Sequence, residues 1–468
     1  MDPRSASPSS APPPSTAASS DGLVRGLTPG QCLAFVVGTL IGSGIFFVPH
    51  EMVQEVHSFG WIMAIWVIGG LLSLFGALAY AELGARRPQA GGEYVYLRDG
   101  WGPGLGFLFS WGMFWIIRPA SAATIAAGFA LAAAFVWPAL NVPLFSLAGV
   151  ALHGTQVLAA VMIILVTGVN HFGVRQGGRL QAWFTVLKIA LIAALIGAAL
   201  IWAPGNWHHL AQKLAAPALD FGGLAAALVA ALWAYDGWNN LTLAGSEIQN
   251  PQRSIPRAMA WGVGIVFLAY ALVNLAYFYV LPPAAVAAHK NVAAAMAASF
   301  LGRHAGALVS VAIMVSVFAT LNSSILSGAR APFAMARDGY FFKSLARVHS
   351  RYRTPHVALW WQALFCCVFA LTGSYKSLFT LTIFAEWLFY ALAVTSLFRF
   401  RRRGEQSPFR MWGYPVLPAL FVIIAVVILE QTFAAHLEQS SIGLAIILAG
   451  IPFFFWWTRR HRPAAPAA

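Results

Sequence analysis

Two stretches inside long apolar runs carry residue types that a plain membrane anchor does not need. One is Thr39-Leu40-Ile41-Gly42-Ser43-Gly44-Ile45-Phe46; the other is Trp233-Ala234-Tyr235-Asp236-Gly237-Trp238. Glycine costs a helix interior about 1 kcal/mol relative to alanine. Any backbone N–H or C=O freed within a bilayer costs several kcal/mol more unless something satisfies it. A helix that opens at Gly42 and Gly44 could use its bared peptide groups to hold a ligand, with the ends of two half-helices pointing at it. The same glycines could equally form a seam for close helix packing. The second stretch separates these readings, because a packing seam does not account for an aspartate between tryptophans. Gly42 and Gly237 lie 195 residues apart, each in the first span of a five-span block. An odd number of spans per block turns the second block upside down in the membrane. Two interrupted helices at matching positions of inverted halves point to a ligand site near the bilayer midplane.

Two cations and further polar groups fall in the surrounding spans. Lys188 lies too far from either end of its run to snorkel easily. It is either an ion-pair partner or a fixed positive charge with a functional role. Arg118-Pro119 interrupts another span; the arginine either bonds carbonyls freed by the proline or faces a ligand. The run Thr320-Leu321-Asn322-Ser323-Ser324 offers hydroxyls that could accept from Lys188, or bond their own helix carbonyls. Asp236 could pair with a cationic ligand side chain or turn away to bond Asn239 and nearby N–H groups.

The elements that must position these groups are membrane helices. Of 468 residues, 59% are hydrophobic and 9% charged, where soluble domains carry nearer 25% charge. Apolar runs near 28–54, 59–86, 103–137, 153–171, 178–203, 221–246, 256–281, 305–329, 356–373, 377–399, 412–434 and 440–458 make about twelve spans. They lack the alternation of a membrane β-barrel. The net charge of +14 does not indicate nucleic acid. With both ends inside, only Lys213, Lys290, Arg303 and Lys376 fall in outer loops, and Arg118 and Lys188 lie within spans; the other 23 of 29 Lys and Arg fall inside, as the positive-inside rule requires. Cys32, Cys366 and Cys367 all lie in spans, so no structural disulfide is expected. No His/Cys/Asp/Glu group has metal-ligand spacing, and His208-His209 is an isolated pair, which argues against an enzyme. Residues 1–26, rich in Pro, Ser and Ala, read as a disordered tail. Thr28-Pro29 reads as the N-cap and first turn of the first helix. Gly91-Gly92-Glu93-Tyr94-Val95-Tyr96 is either an amphipathic piece near the interface or an ordinary loop.

Several of these motifs resemble the amino acid–polyamine–organocation (APC) superfamily, most closely its L-type amino acid transporter branch. They are Gly42-Ser43-Gly44-Ile45-Phe46, Gly91-Gly92-Glu93-Tyr94, Ile117-Arg118-Pro119-Ala120-Ser121, Phe184-Thr185-Val186-Leu187-Lys188 and, most specifically, Ala234-Tyr235-Asp236-Gly237-Trp238-Asn239 followed by Glu247 and Asn250-Pro251. The resemblance covers roughly 28–400. It implies an all-α integral membrane protein of the LeuT-type 5+5 inverted-repeat fold, with discontinuous helices 1 and 6. The transport core would span 27–400, its halves about 28–203 and 221–400; helices 11 and 12 fall in 401–459 and a second tail in 460–468. It further implies sodium-independent exchange of neutral or cationic L-amino acids by alternating access, with no cofactor. The rival reading is a membrane amino acid sensor without useful flux.

Carried over by residue, Gly42, Ser43 and Gly44 would bind the substrate α-carboxylate. Carbonyls of Leu40, Ile41, Trp233 and Asp236 would meet the α-ammonium, within a substrate segment that includes Ala234, Tyr235, Gly237 and Trp238. Trp233 would stand as an aromatic gate. Lys188 would replace a sodium ion, in contact with the first helix and Ser323 or Ser324. The loop Trp137-Pro138-Ala139-Leu140-Asn141 lacks the cysteine by which animal members hold a glycoprotein subunit. The chain therefore looks like a bacterial inner-membrane member, both termini cytoplasmic, working without that partner. Ser246-Glu247 leaves one acid where the family often shows two.

Overall fold

A computed structural model describes residues 23–147, 150–214 and 220–460. Most of the expected N-terminal tail, and the tail after Arg460, lie outside these residues. Within the expected tail, Leu23 is placed and buried beside Ala90 and Phe333.

The described chain is helical apart from one hairpin, Pro143–Leu147 paired antiparallel with Val150–His153. Ten helices are long and apolar enough to cross a membrane, so this is a multi-pass membrane protein. The first spans Pro29–Val56, and the others follow the predicted runs closely. Two predicted spans fall below that length. His356–Thr372 is the ninth, and Phe221–Ala234 continues across a turn into Asn240–Leu243 as the sixth. The segment between the seventh and eighth spans is not a plain loop, since it folds into Pro283–Ala288 and Val292–Leu301.

Local chemistry explains the ends. Thr28 caps the first span: its hydroxyl accepts from the Gln31 N–H, and the Gln31 side chain accepts from the Thr28 N–H at 2.9 Å, with Pro29 in the first turn. Asp220 caps the sixth, accepting from the Gly223 N–H at 2.7 Å. A π-helical turn, Met113–Ile117, precedes Arg118-Pro119 in the third span, where the proline cannot donate.

The first and sixth spans are laced together at one face of the molecule, the near face. The Leu27 N–H donates to the Glu247 carbonyl and the Gln249 N–H to the Leu27 carbonyl, both at 2.9 Å. The Gly91–Tyr96 segment opens the helix Glu93–Trp101, in which Glu93, Tyr94, Val95, Tyr96 and Leu97 are all buried in protein. Asn239 donates to Glu93 at 2.6 Å and Tyr94 to Asp338 at 2.7 Å.

Candidate functional site

The first span breaks between Leu40 and Gly44, with Ile41–Ser43 out of the helix. Among the described residues, no backbone hydrogen bond starts from the N–H of Ser43, Gly44 or Ile45. These three groups form the positive end of the half-helix Gly44–Val56. The sixth span breaks over Tyr235–Asn239. The two breaks interlock. A Cβ on Gly44 would meet Ala234 Cα at 2.6 Å, and one on Gly237 would meet Thr39 at 2.6 Å. Gly237 also has φ +109°, where a side chain is strained. Glycine is therefore needed twice, for close approach and for the turn.

Between the breaks lies a pocket lined by Thr39, Leu40, Gly42, Ser43 and Gly44 from the first span and by Trp233, Ala234, Asp236, Gly237 and Asn240 from the sixth. Ser121 and Ile125 of the third span and Thr320 and Ser324 of the eighth complete it. Its free volume is about 20 Å³, enough for a water-sized group. An amino acid enters only if the walls part.

Not every expected residue faces this pocket. Ile41 turns to Lys188. Tyr235 packs against Trp66 and Tyr270, its ring centroid 5.5 and 5.1 Å from theirs. Trp238 packs on Tyr80 and Tyr390 at 4.9 and 5.0 Å. Trp233, Ala234, Asp236 and Gly237 therefore reach the pocket, while Tyr235 and Trp238 anchor its back.

Lys188 is 1% exposed. Its ammonium donates to the Gly38 and Ile41 carbonyls, each at 2.7 Å, and to the Thr320 hydroxyl at 3.1 Å. Among the described residues it has no ion-pair partner; it ties the fifth span to the first through carbonyls at the break and to the eighth through the Thr320 hydroxyl. Thr320 supplies the expected hydroxyl, whereas Ser323 bonds the Ala319 carbonyl and Ser324 accepts from Arg118. Arg118 also donates to Asn240 at 2.8 Å, so its guanidinium braces two pocket walls instead of bonding carbonyls near Pro119. The Leu40 carbonyl accepts from the Gly42 N–H and, at 2.7 Å, from the Tyr270 hydroxyl, which reaches the Ala234 carbonyl as well.

Tyr375, at the start of the tenth span, closes the pocket on the far face. Its hydroxyl lies 3.1 Å from that of Ser43 and accepts from the Trp233 indole at 3.2 Å. Beyond it opens a cavity of about 660 Å³ lined in part by Phe47, His50 and Tyr375. On the near face Glu247, the single acid, pairs with Arg330 at 2.9 Å; both side chains are 1% exposed. Arg98 pairs with Asp338, and Glu82 with Arg86 and Arg401. Burial pushes the Glu93 carboxyl, which lies outside the spans, up to about 7 against the opposing pull of Asn239 and Arg118. Tyr375, Tyr270, Tyr390 and Glu386 were not singled out from the sequence, although Glu386 is an acid within an apolar run.

Ten helices long enough to cross a membrane, packed with a small pocket between two facing helix breaks, are the architecture of a carrier. The profile of the family described as amino acid permease matches residues 27–454, and the chain belongs to that family. Within it, the chain is 31% identical to the b(0,+)-type amino acid transporter 1 of Mus musculus, an alignment covering 94% of this chain and 90% of that one. It is 32% identical to a serine/threonine exchanger of Bacillus subtilis, over 92% and 95%. It is 30% identical to the large neutral amino acids transporter small subunit 2 of Mus musculus, over 92% and 80%. These likenesses place the chain in the L-type amino acid transporter branch, among transporters and not enzymes.

Proposed function

We propose that this protein exchanges amino acids across a bacterial plasma membrane without sodium. One observation carries the reading: two interlocked helix breaks with bared N–H groups on one side and Lys188 on the other. The substrate α-carboxylate docks on the N–H groups of Ser43, Gly44 and Ile45, beside the Ser43 hydroxyl. The α-ammonium meets carbonyls at Leu40, Trp233 and Asp236. The Lys188 ammonium neutralises the carbonyl end of the first break, as a bound metal cation would, so no sodium ion is needed there. Trp233 and Tyr375 form the gate on the far, outer face, and the arginine-rich near face is cytoplasmic, with both termini on that side. The chain works without a disulfide-linked subunit, since its three cysteines lie in spans.

The test is reconstitution into liposomes preloaded with unlabelled amino acid, measuring uptake of labelled serine, threonine, alanine, leucine, lysine and arginine. Exchange is expected at equal rates with and without sodium. Lys188→Ala should reduce it at least about tenfold while the protein still inserts and purifies, because two carbonyls lose a charge-assisted donor. Wild-type exchange by that variant removes the proposed role of the ammonium. No flux of any of the six amino acids overturns the transport reading itself.

A further inference from the structure

The cavity of about 660 Å³ beyond Tyr375 has the size of a small-molecule site, for which about 300–1,000 Å³ is usual. Its walls carry charge of both signs. Glu51, Lys290 and Lys376 line it beside His50 and His153, and so does Tyr375, which closes the inner pocket. Lys290 is exposed, and its ammonium has no ion-pair or hydrogen-bond partner among the described residues. Its backbone is nonetheless held. The next residue, Asn291, is buried; its carboxamide accepts from the Ala294 N–H and donates to the Ser310 hydroxyl, both at 3.1 Å. Glu51 meets Lys376 at 3.4 Å, longer than the about 2.7–2.9 Å of a close charge-assisted bond, so its carboxylate keeps room for a second cation. The helix Pro283–Ala288, which leads to Lys290, is bonded to the half-helix Gly44–Val56, which carries Glu51. His50 Nδ1 lies 3.3 Å from the Val286 carbonyl oxygen, and Gln54 donates to the Ala287 carbonyl at 3.4 Å.

A free amino acid presents one carboxylate and one ammonium, joined through a single carbon. An unpaired ammonium and a loosely held carboxylate on the walls of one cavity complement that pair. Both walls also belong to the half-helix whose first N–H groups face the inner pocket, either directly or through the bonds at His50 and Gln54. We propose that the outer cavity is a second, transient amino acid site, in which Lys290 takes the α-carboxylate and Glu51 the α-ammonium before Tyr375 yields. An incoming molecule waits there while Tyr375 still bonds Ser43 and Trp233. When the gate opens, its carboxylate passes from the Lys290 ammonium to the bared N–H groups of the first break. The outer site grips only the groups common to all amino acids, and side-chain choice is left to the inner pocket. The inference rests on the reading of this protein as an amino acid exchanger and assigns a step that precedes binding between the breaks.

The experiment uses the full-length protein in right-side-out and in inverted membrane vesicles, each preloaded with unlabelled alanine, so that labelled alanine arrives from the far or the near face. Lys290→Gln should raise the far-face KM about fivefold, as loss of a partly exposed ionic contact implies, at an unchanged maximal rate. The near-face KM should not move, which also shows that the variant folds. Lys290→Arg should behave as the wild type. Glu51→Gln separates docking from a general attraction of carboxylates into a basic vestibule. A docked ammonium loses its partner, so the far-face KM rises; under attraction alone, removing an acid would lower it. Glu55→Gln takes away the other acid that contacts Lys376 but lies off the cavity wall, and should leave the far-face KM unchanged. The proposal is overturned, with the transport reading still standing, by any of four results: an unchanged far-face KM in Lys290→Gln, an equal rise on both faces, a fall in Glu51→Gln, or a rise in Glu55→Gln as large as that in Glu51→Gln. Absence of exchange by the wild type in both kinds of vesicle refutes the transport reading instead.

Discussion

The two faces of the pocket are closed by different chemistry. On the near face the bonds are charged and largely shielded: Glu247 with Arg330, Glu82 with Arg86 and Arg401, Arg98 with Asp338. On the far face a single phenol, Tyr375, holds Ser43 and Trp233 by neutral bonds. Among the described residues the ionic contacts there are Lys376 to Glu51 and Glu55 at 3.4 and 3.5 Å, with the lysine half exposed. Removing one partner of a buried pair costs about 3–5 kcal/mol, a neutral hydrogen bond contributes about 1, and an exposed pair about 0–1. The far face is therefore the lighter door, and it already fronts the larger cavity.

The sharpest way to break this comparison is at Arg330. Arg330→Met strands Glu247 in protein, and a stability loss of roughly 3–5 kcal/mol is expected in thermal melts of the purified protein. The double variant with Glu247→Gln should recover more than half of it. Tyr375→Phe is the milder cut. It removes one or two neutral bonds, so a cysteine placed at Ile125 should react about 5–10-fold faster with an impermeant thiol reagent from the far face, matching about 1–1.4 kcal/mol. Equal melting losses for Arg330→Met and Tyr375→Phe would erase the asymmetry.

The third test is a pH dependence at Glu93, the near-face acid whose bond is to an amide, Asn239, and not to a cation. Its carboxyl is raised from 4.5 to about 7, so between those values the folded protein binds more protons than the unfolded chain. Stability is then greatest below about 4.5 and declines as pH climbs through 7. Glu93→Gln should flatten this decline in melting temperature between pH 5 and 7.5, by an amount on the order of 1–3 kcal/mol. A decline that persists unchanged assigns it to other groups.

Long apolar runs made the spans legible, because hydrocarbon leaves the backbone one economical solution, the helix. Gly42, Gly44 and Gly237 revealed the breaks for the same reason: glycine in a span needs an explanation. Lys188 was legible as an ammonium too deep to reach water. Its partners were not, since the choice of Thr320 over Ser323 and Ser324 depends on which side of the eighth helix turns inward. Tyr375 was hidden because it meets Ser43 from 332 residues away, and one tyrosine among 12 carries no local signal. Tyr235 and Trp238 were misplaced because an unwound strip has no helical period to sort its side chains. Arg118 and Glu93 sit next to proline and glycine, which suggested loop or carbonyl roles; burial against other helices decided otherwise.

The main-chain lacing of Leu27 to Glu247 and Gln249 has a mechanical consequence. Side-chain gates can unlatch one at a time, but two peptide bonds' worth of pairing at the root of both broken helices makes their near halves a single lever. Torque applied to either is felt by the other, so a passenger would be gripped or released at head and tail in one stroke.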